Sequence, residues 1–217
     1  MLHYHTVNPL LKESLFLFMK ADEFDDLRLV GGTSLSLQIG HRESVDIDLF
    51  TDTPYGTLDF NSIDAYLENQ FPYVDYIRDL FPGMGKSYLI GQDRNNAIKL
   101  DVFHTDEFIN PTKVVDGIRL ASIEEIIAMK LEVIQNEGRK KDFWDIHELL
   151  SSYRIDDMLK LHEKRYPYGH NRELLLDNFT NFERADDDFD PICLKGKIWA
   201  FIKEDIQGHI DKFRQAR

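Results

Sequence analysis

One cysteine in 217 residues, Cys193, rules out an internal disulfide and predicts a protein of a reducing compartment. Met1-Leu2-His3-Tyr4-His5 shows no basic leader followed by an apolar run, and no later stretch is long and apolar enough to cross a bilayer. A soluble, cytoplasmic protein with no membrane partner is expected. Positive charge is also scarce: 26 Lys and Arg stand against 39 Asp and Glu, a formal net charge of -13. That balance excludes a general nucleic-acid coat, whose affinity comes from neutralising phosphates, and leaves a nucleic-acid substrate only through a local basic patch. It suits either a partner with a basic surface or simply a well-solvated acidic protein, the latter accounting for most of it. The length is sufficient for one or two domains with a substantial core and no stapling metal, and no internal repeat is present.

What is there begins with helical spacing over about Pro9 to Phe24 and a strand at Leu27 to Val30. A Gly31-Gly32 turn then opens a short helix over Thr33 to Gln38. Val45 to Phe50 alternates, with Val45, Ile47 and Leu49 on one face and Asp46 and Asp48 on the other, as a half-buried strand does. A helix is expected over Thr57 to Phe71, and strands at Val74 to Arg78, Ser87 to Gly91 and Ile98 to Phe103. Asp116-Gly117 centres a tight hairpin across Val114 to Leu120, because the pair tolerates positive φ. From Ser122, where Ser122-Ile123-Glu124-Glu125 has the form of a capping box, the pattern turns helical: Ile123 to Gln135, Lys140 to Ser151, Ile155 to Lys164, Arg172 to Asn178 and Lys195 to Phe213. The reading is α+β, a mixed α/β domain over 1–120 and a helical domain over 121–217.

The Gly31-Gly32 turn between a strand and a helix presents backbone amides to a phosphate, and Asp46 and Asp48 point to one side of the next strand, as metal ligands do. Asp101 falls on the same face of its strand as Lys99 and Phe103. It is either solvent-facing or a third carboxylate, in which case three aspartates could hold the paired Mg²⁺ ions of phosphoryl transfer. Lys130 sits at the centre of the apolar stripe formed by Ile126, Ile127 and Ile134, so its ammonium must snorkel out or meet an anion, a triphosphate being one. Asp142 and Asp145, one helical turn apart, could orient Lys130 or Arg139, bind substrate, or belong to an exposed run of compensating charge. Two other motifs fail, and two further features read as inert. Gly83-Met84-Gly85-Lys86-Ser87 lacks the leading glycine of a phosphate loop, whose position is Leu80, and a strand rather than a helix follows it. His147-Glu148 lacks the second zinc histidine, whose position is Ser151. The pair His3 and His5 and the run Asp186-Asp187-Asp188 read as inert surface features.

Gly31-Gly32-Thr33-Ser34-Leu35, Arg42, Ser44 and Asp46-Ile47-Asp48 resemble the first motif of the polymerase-β-like nucleotidyltransferases, in the form found in the AbiEii/AbiGii abortive-infection toxin family. Lys130 and Arg139-Lys140-Lys141-Asp142-Phe143-Trp144-Asp145-Ile146 resemble that family's downstream lysine and aspartate motifs, and Asp190-Pro191 ahead of the Trp199 helix is similar to how many members close. The resemblance implies a mixed sheet flanked by helices, with a C-terminal helical bundle completing the active-site cleft. It further implies a cytoplasmic, Mg²⁺-dependent transferase of NMP from an NTP, often GTP or a pyrimidine triphosphate, to a hydroxyl acceptor such as a tRNA end. Such a protein is the toxin of a type IV toxin–antitoxin or phage-defence pair, with an antitoxin protein as partner. By the resemblance Asp46 and Asp48 ligate metal, Gly32, Thr33 and Ser34 hold phosphate, Arg42 and Lys130 contact the triphosphate, and Asp142 is the downstream aspartate. Asp101 matches the third carboxylate of the wider superfamily. Two alternatives stand beside this reading: a nucleotide-binding module that acts through a protein partner, and a nucleotidyltransferase of small molecules.

Overall fold

A computed structural model of the chain describes residues 1–78 and 82–216, so Leu80 lies outside the described residues. It divides into two units, Met1–Gly40 with Ser44–Ser122, and His41–Glu43 with Ile123 onward. The second unit thus starts at Ile123 and takes in a three-residue segment that a division at residue 120 leaves with the first.

In the first unit α1 (Pro9–Phe18) is started by Asn8, whose side chain accepts from the Leu11 amide at 2.8 Å, with Pro9 in the first turn. It buries Leu11, Leu15 and Phe18 and stops at Phe18, short of the expected Phe24; Asp22–Phe24 is a separate 3₁₀ turn. Next come β1 (Arg28–Leu29), α2 (Gly31–Ile39), which ends at Gly40 in the left-handed region, and β2 (Asp46–Thr51). Strand pairing begins at Asp46, so Val45, expected on the buried face, is 58% exposed. Helix α3 (Phe60–Gln70) is capped by Asp59 and buries Phe60, Ile63 and Leu67. The strands β3 (Tyr73–Asp75), β4 (Gly85–Asp93) and β5 (Asn96–His104) follow, and β6 (Lys113–Val115) and β7 (Ile118–Leu120) flank Asp116 and Gly117, both at positive φ as the hairpin requires.

These strands form one mixed sheet in the order β3-β4-β5-β2-β1-β7-β6. β2 runs parallel to β5 and antiparallel to β1, while β4 runs antiparallel to β5. Ile47, Leu49, Tyr88, Ile90, Ile98, Leu100 and Val102 join Leu11, Leu15, Phe18, Ile63 and Leu67 in a single core. The sheet therefore buries one face under α1 and α3, and the alternate residues of β2, β4 and β5 point the other way.

The second unit is helical: α4 (Ile123–Gln135), α5 (Lys140–Leu149), α6 (Ile155–Arg165), α7 (Arg172–Asn178), α8 (Glu183–Asp186) and α9 (Trp199–Gln215). Its core includes Ile127, Leu131, Ile134, Phe143, Met158, Leu159, Leu175, Ile202 and Ile206. Helix α8 has no counterpart in the sequence reading, because four residues are too few to show a period. The segment His41–Glu43 belongs here through a short antiparallel pairing: the Glu43 amide donates to the Ile192 carbonyl at 2.9 Å and the Leu194 amide to the His41 carbonyl at 3.0 Å. Among the described residues no helix is long and apolar enough to cross a membrane.

Candidate active site

In the first unit the chain leaves β1 through Val30, whose amide donates to the Asp48 carbonyl at 2.9 Å. Gly31 follows at φ +67°, and a Cβ there would lie 2.5 Å from Asp48 Oδ2. Glycine is thus required twice at this position, for the left-handed turn and for the approach of the Asp48 carboxylate to the start of α2. The first amides of α2 have no partner within the helix, the ordinary basis of an anion site. Thr33 and Ser34 are buried, and their hydroxyls serve the fold. Thr33 Oγ1 donates to the Asp46 carbonyl and lies 2.7 Å from Ser44 Oγ, tying α2 to the start of β2. Ser34 Oγ accepts from Gln38 Nε2 at 3.2 Å.

The strand register brings the aspartates together. Asp48 stands opposite Asp101 and Asp46 opposite Lys99 across the parallel β2–β5 pair, so all four side chains share the face turned away from the core. Lys99 Nζ lies 2.6 Å from Asp101 Oδ2, while Asp101 Oδ1 is buried with no hydrogen-bond partner among the described residues. Among the described residues no three His, Cys, Asp or Glu side chains converge on a metal-holding point. Two neighbouring carboxylates nevertheless suit Mg²⁺, which binds through one or two carboxylates plus substrate phosphates, and the orphaned Asp101 oxygen is one acceptor to spare.

The second unit answers the Lys130 question. Its ammonium, 7% exposed, meets Asp142 Oδ1 at 2.6 Å and Asp145 Oδ2 at 2.8 Å, so the inward anion is protein carboxylate. Asp145 is the hub. His41 Nε2 (2.7 Å) and Arg42 Nε (2.6 Å) reach Oδ1, and Arg42 Nη2 (2.8 Å) joins Lys130 on Oδ2, filling all four acceptor positions of the carboxylate. His41 must therefore carry its proton on Nε2, and its buried Nδ1 has no partner among the described residues. Asp142, the third residue of α5, accepts from Arg139 Nε at 2.9 Å and from the Arg139 amide, so it is neither exposed nor part of a loose charged run. Burial opposes the ionised form of both aspartates, yet Arg42 and Lys130 hold Asp145 well below the usual carboxylate range, and Lys130 and Arg139 lower Asp142. Burial likewise opposes the charge on Lys130, and Asp142 and Asp145 outweigh it, raising its pKa. Arg42, expected from the resemblance to meet a triphosphate, spends three guanidinium nitrogens on Asp145 and the Glu43 carbonyl. The central place of Asp145 and the part of His41 were not legible from spacing; the only signal was the Asp142/Asp145 pair one turn apart.

A mixed sheet flanked by helices, a glycine turn into a helix and carboxylates on the adjoining strand are the features of a nucleotidyltransferase fold. The profile of the family described as nucleotidyl transferase AbiEii toxin, type IV toxin–antitoxin system, matches residues 14–217, and the chain belongs to that family. An uncharacterised protein of Aquifex aeolicus (strain VF5) is 32% identical over 145 residues, covering 65% of this chain and 67% of that one. Among solved structures, JHP933 of Helicobacter pylori is similar with a TM-score of 0.59 at 18% identity, over 100% of this chain and 94% of that one. MenT4, the nucleotidyltransferase toxin Rv2826c of Mycobacterium tuberculosis H37Rv, gives 0.57 at 15% identity, over 90% and 78%. The protein is a nucleotidyltransferase of a toxin family.

Proposed function

We propose that this protein transfers NMP from a nucleoside triphosphate to a hydroxyl of RNA, such as a tRNA end, and that an antitoxin protein restrains it in the cytoplasm. The observation that carries the reading is the Asp48–Asp101 pairing beside the start of α2, with Asp46 one step along the same face. In this reading the triphosphate lies on the amides at Gly31, Gly32 and Thr33, the Ser34 amide already donating to the Val30 carbonyl at 3.4 Å. Mg²⁺ held by Asp46 and Asp48 together with phosphate oxygens would neutralise charge on the triphosphate and its leaving group. The acceptor oxygen attacks the α-phosphorus. As that O–P bond forms, the bond from the α-phosphorus to the oxygen bridging to the β-phosphate breaks, pyrophosphate leaves, and the acceptor proton passes to the Asp101 carboxylate. Rate enhancement rests on positioning and on charge neutralisation. Within the second unit Lys130, Arg42 and Asp142 are held together through Asp145, and in this reading Lys130 and Arg42 supply the positive charge that the family resemblance assigns to the triphosphate.

The test is incubation of the purified protein with each α-labelled triphosphate, Mg²⁺ and total RNA. Label should enter RNA with one triphosphate preferred, and Asp46→Ala with Asp48→Ala should abolish it. Full transfer by that double variant would defeat the assignment; binding without transfer would point to the nucleotide-binding module, and label on a small hydroxylated compound to a small-molecule enzyme.

A further inference from the structure

The outward face of β4, β5 and β2 is a grid fixed by register. Its rows are Leu89, Lys99 and Asp46, then Ser87, Asp101 and Asp48, then Gly85, Phe103 and Phe50. Ser87, Leu89 and Lys99 are exposed, so this face is open to solvent, and Phe50 and Phe103 are half-buried on it although the hydrophobic core is on the other side. Their rings are 5.9 Å apart at 52°. A Cβ on Gly85 would collide first with the Val102 carbonyl oxygen and then, at 2.5 Å, with Phe103 Cγ, so the missing side chain admits both the close pairing of β4 with β5 and the Phe103 ring lying across β4. Two aromatic rings on the polar face, given room by a glycine and set one row beyond the carboxylates, serve no packing need of the core.

We infer that Phe50 and Phe103 form a stacking platform for the nucleobase that bears, or adjoins, the attacked hydroxyl of the acceptor. This rests on the proposed function, since it uses where the phosphates lie. The pyrophosphate end belongs at the start of α2, which follows β1, and the sheet runs β5-β2-β1. In-line displacement requires the nucleophile to enter opposite the leaving group, hence from the β5 side, where Asp101 and Phe103 stand. Two residues along a strand span about 6.6 Å, so the aromatic row lies within a nucleoside's reach of the Asp101 oxygen. Stacking also explains how a chain of net charge -13 can hold RNA, because a base presents a π-face whose attraction does not depend on neutralising phosphates.

The experiment uses the full chain and a single-stranded RNA oligonucleotide ending in 2-aminopurine, whose fluorescence falls on stacking. Wild-type protein should quench it. Phe50→Ala with Phe103→Ala, checked for an unchanged thermal melt, should abolish the quench and raise KM for the acceptor about 5- to 150-fold while KM for the triphosphate holds; Phe103→Trp should keep both near wild type. Unchanged quenching and acceptor KM in the double variant would overturn the inference, and so would a rise confined to the triphosphate KM, which would give the platform to the donor base. The two readings fail separately. Wild-type protein that transfers nothing yet quenches, with the quench lost in the double variant, would sink the transfer reaction and support the platform.

Discussion

Replacing Asp145 by alanine should remove more stability from the second unit than any other single change in its polar core. The carboxylate is fully buried and serves His41, Arg42 and Lys130 at 2.6 to 2.8 Å. Without it Arg42 loses the two contacts it makes to Asp145, and Lys130 is left with Asp142 among the described residues. Breaking a buried pair by removing one partner costs about 3–5 kcal/mol, because an uncompensated charge is left behind. Lys130→Met is the informative contrast. Asp142 then retains Arg139, and Asp145 retains Arg42 and His41, so the loss should be roughly 1–2 kcal/mol, with the methionine filling the apolar stripe. Both tryptophans report on this region: Trp144 is 2% exposed next to Asp145 in sequence, and it stacks on Trp199 at 6.3 Å. Urea unfolding followed by tryptophan fluorescence measures the two losses directly. A loss under about 1 kcal/mol for Asp145→Ala, or a larger loss for Lys130→Met than for Asp145→Ala, would refute the hub assignment.

Three further outcomes follow from the same geometry. Gly31→Ala forces a left-handed alanine, at about 1–2 kcal/mol, and pushes its Cβ against the Asp48 carboxylate, so both melting temperature and label transfer should fall; undiminished transfer would show that the close approach is dispensable. Because Asp142 and Asp145 are held below ordinary carboxylate values when folded, their stabilisation is complete above the unfolded value of about 3.9 and is lost as pH falls through the depressed folded values. Lys130, raised when folded, contributes fully below about 10.4 and loses that contribution as pH rises through its folded value. Tryptophan-detected stability should therefore show an acid limb that Asp145→Asn flattens, and an acid limb of equal slope in that variant would count against the linkage. Tyr88→Phe should cost about 1 kcal/mol, because its buried hydroxyl donates to Asp64 at 2.8 Å while Lys86 still pairs with that carboxylate; a neutral effect on the urea midpoint would contradict it.

Much of the scaffold was legible along the chain. The alternation around Asp46 and Asp48, the Asp116-Gly117 hairpin and the starts of α4, α5 and α6 are local properties, set by period-2 and period-3.6 spacing and by the φ that Asp-Gly accepts. Strand ends were less legible: β4 and β5 run two residues past their expected starts and up to two past their expected ends, because pairing continues through polar residues on the open face. Asp101 shows the limit most clearly. Alternation assigned its face, but nothing within one strand says which strand lies beside it or in what register.

The sequence by itself determined the elements, the faces on which the aspartates lie, the glycine turn and the family resemblance, all of which depend on residues near one another in the chain. Only the tertiary structure decided that Asp48 stands opposite Asp101, that Phe50 and Phe103 complete the row beyond them, and that the anion awaiting Lys130 is the Asp142–Asp145 pair. These partners are separated by 12 to 53 residues. A buried charge demands compensation wherever it sits, but only the fold selects which distant group supplies it.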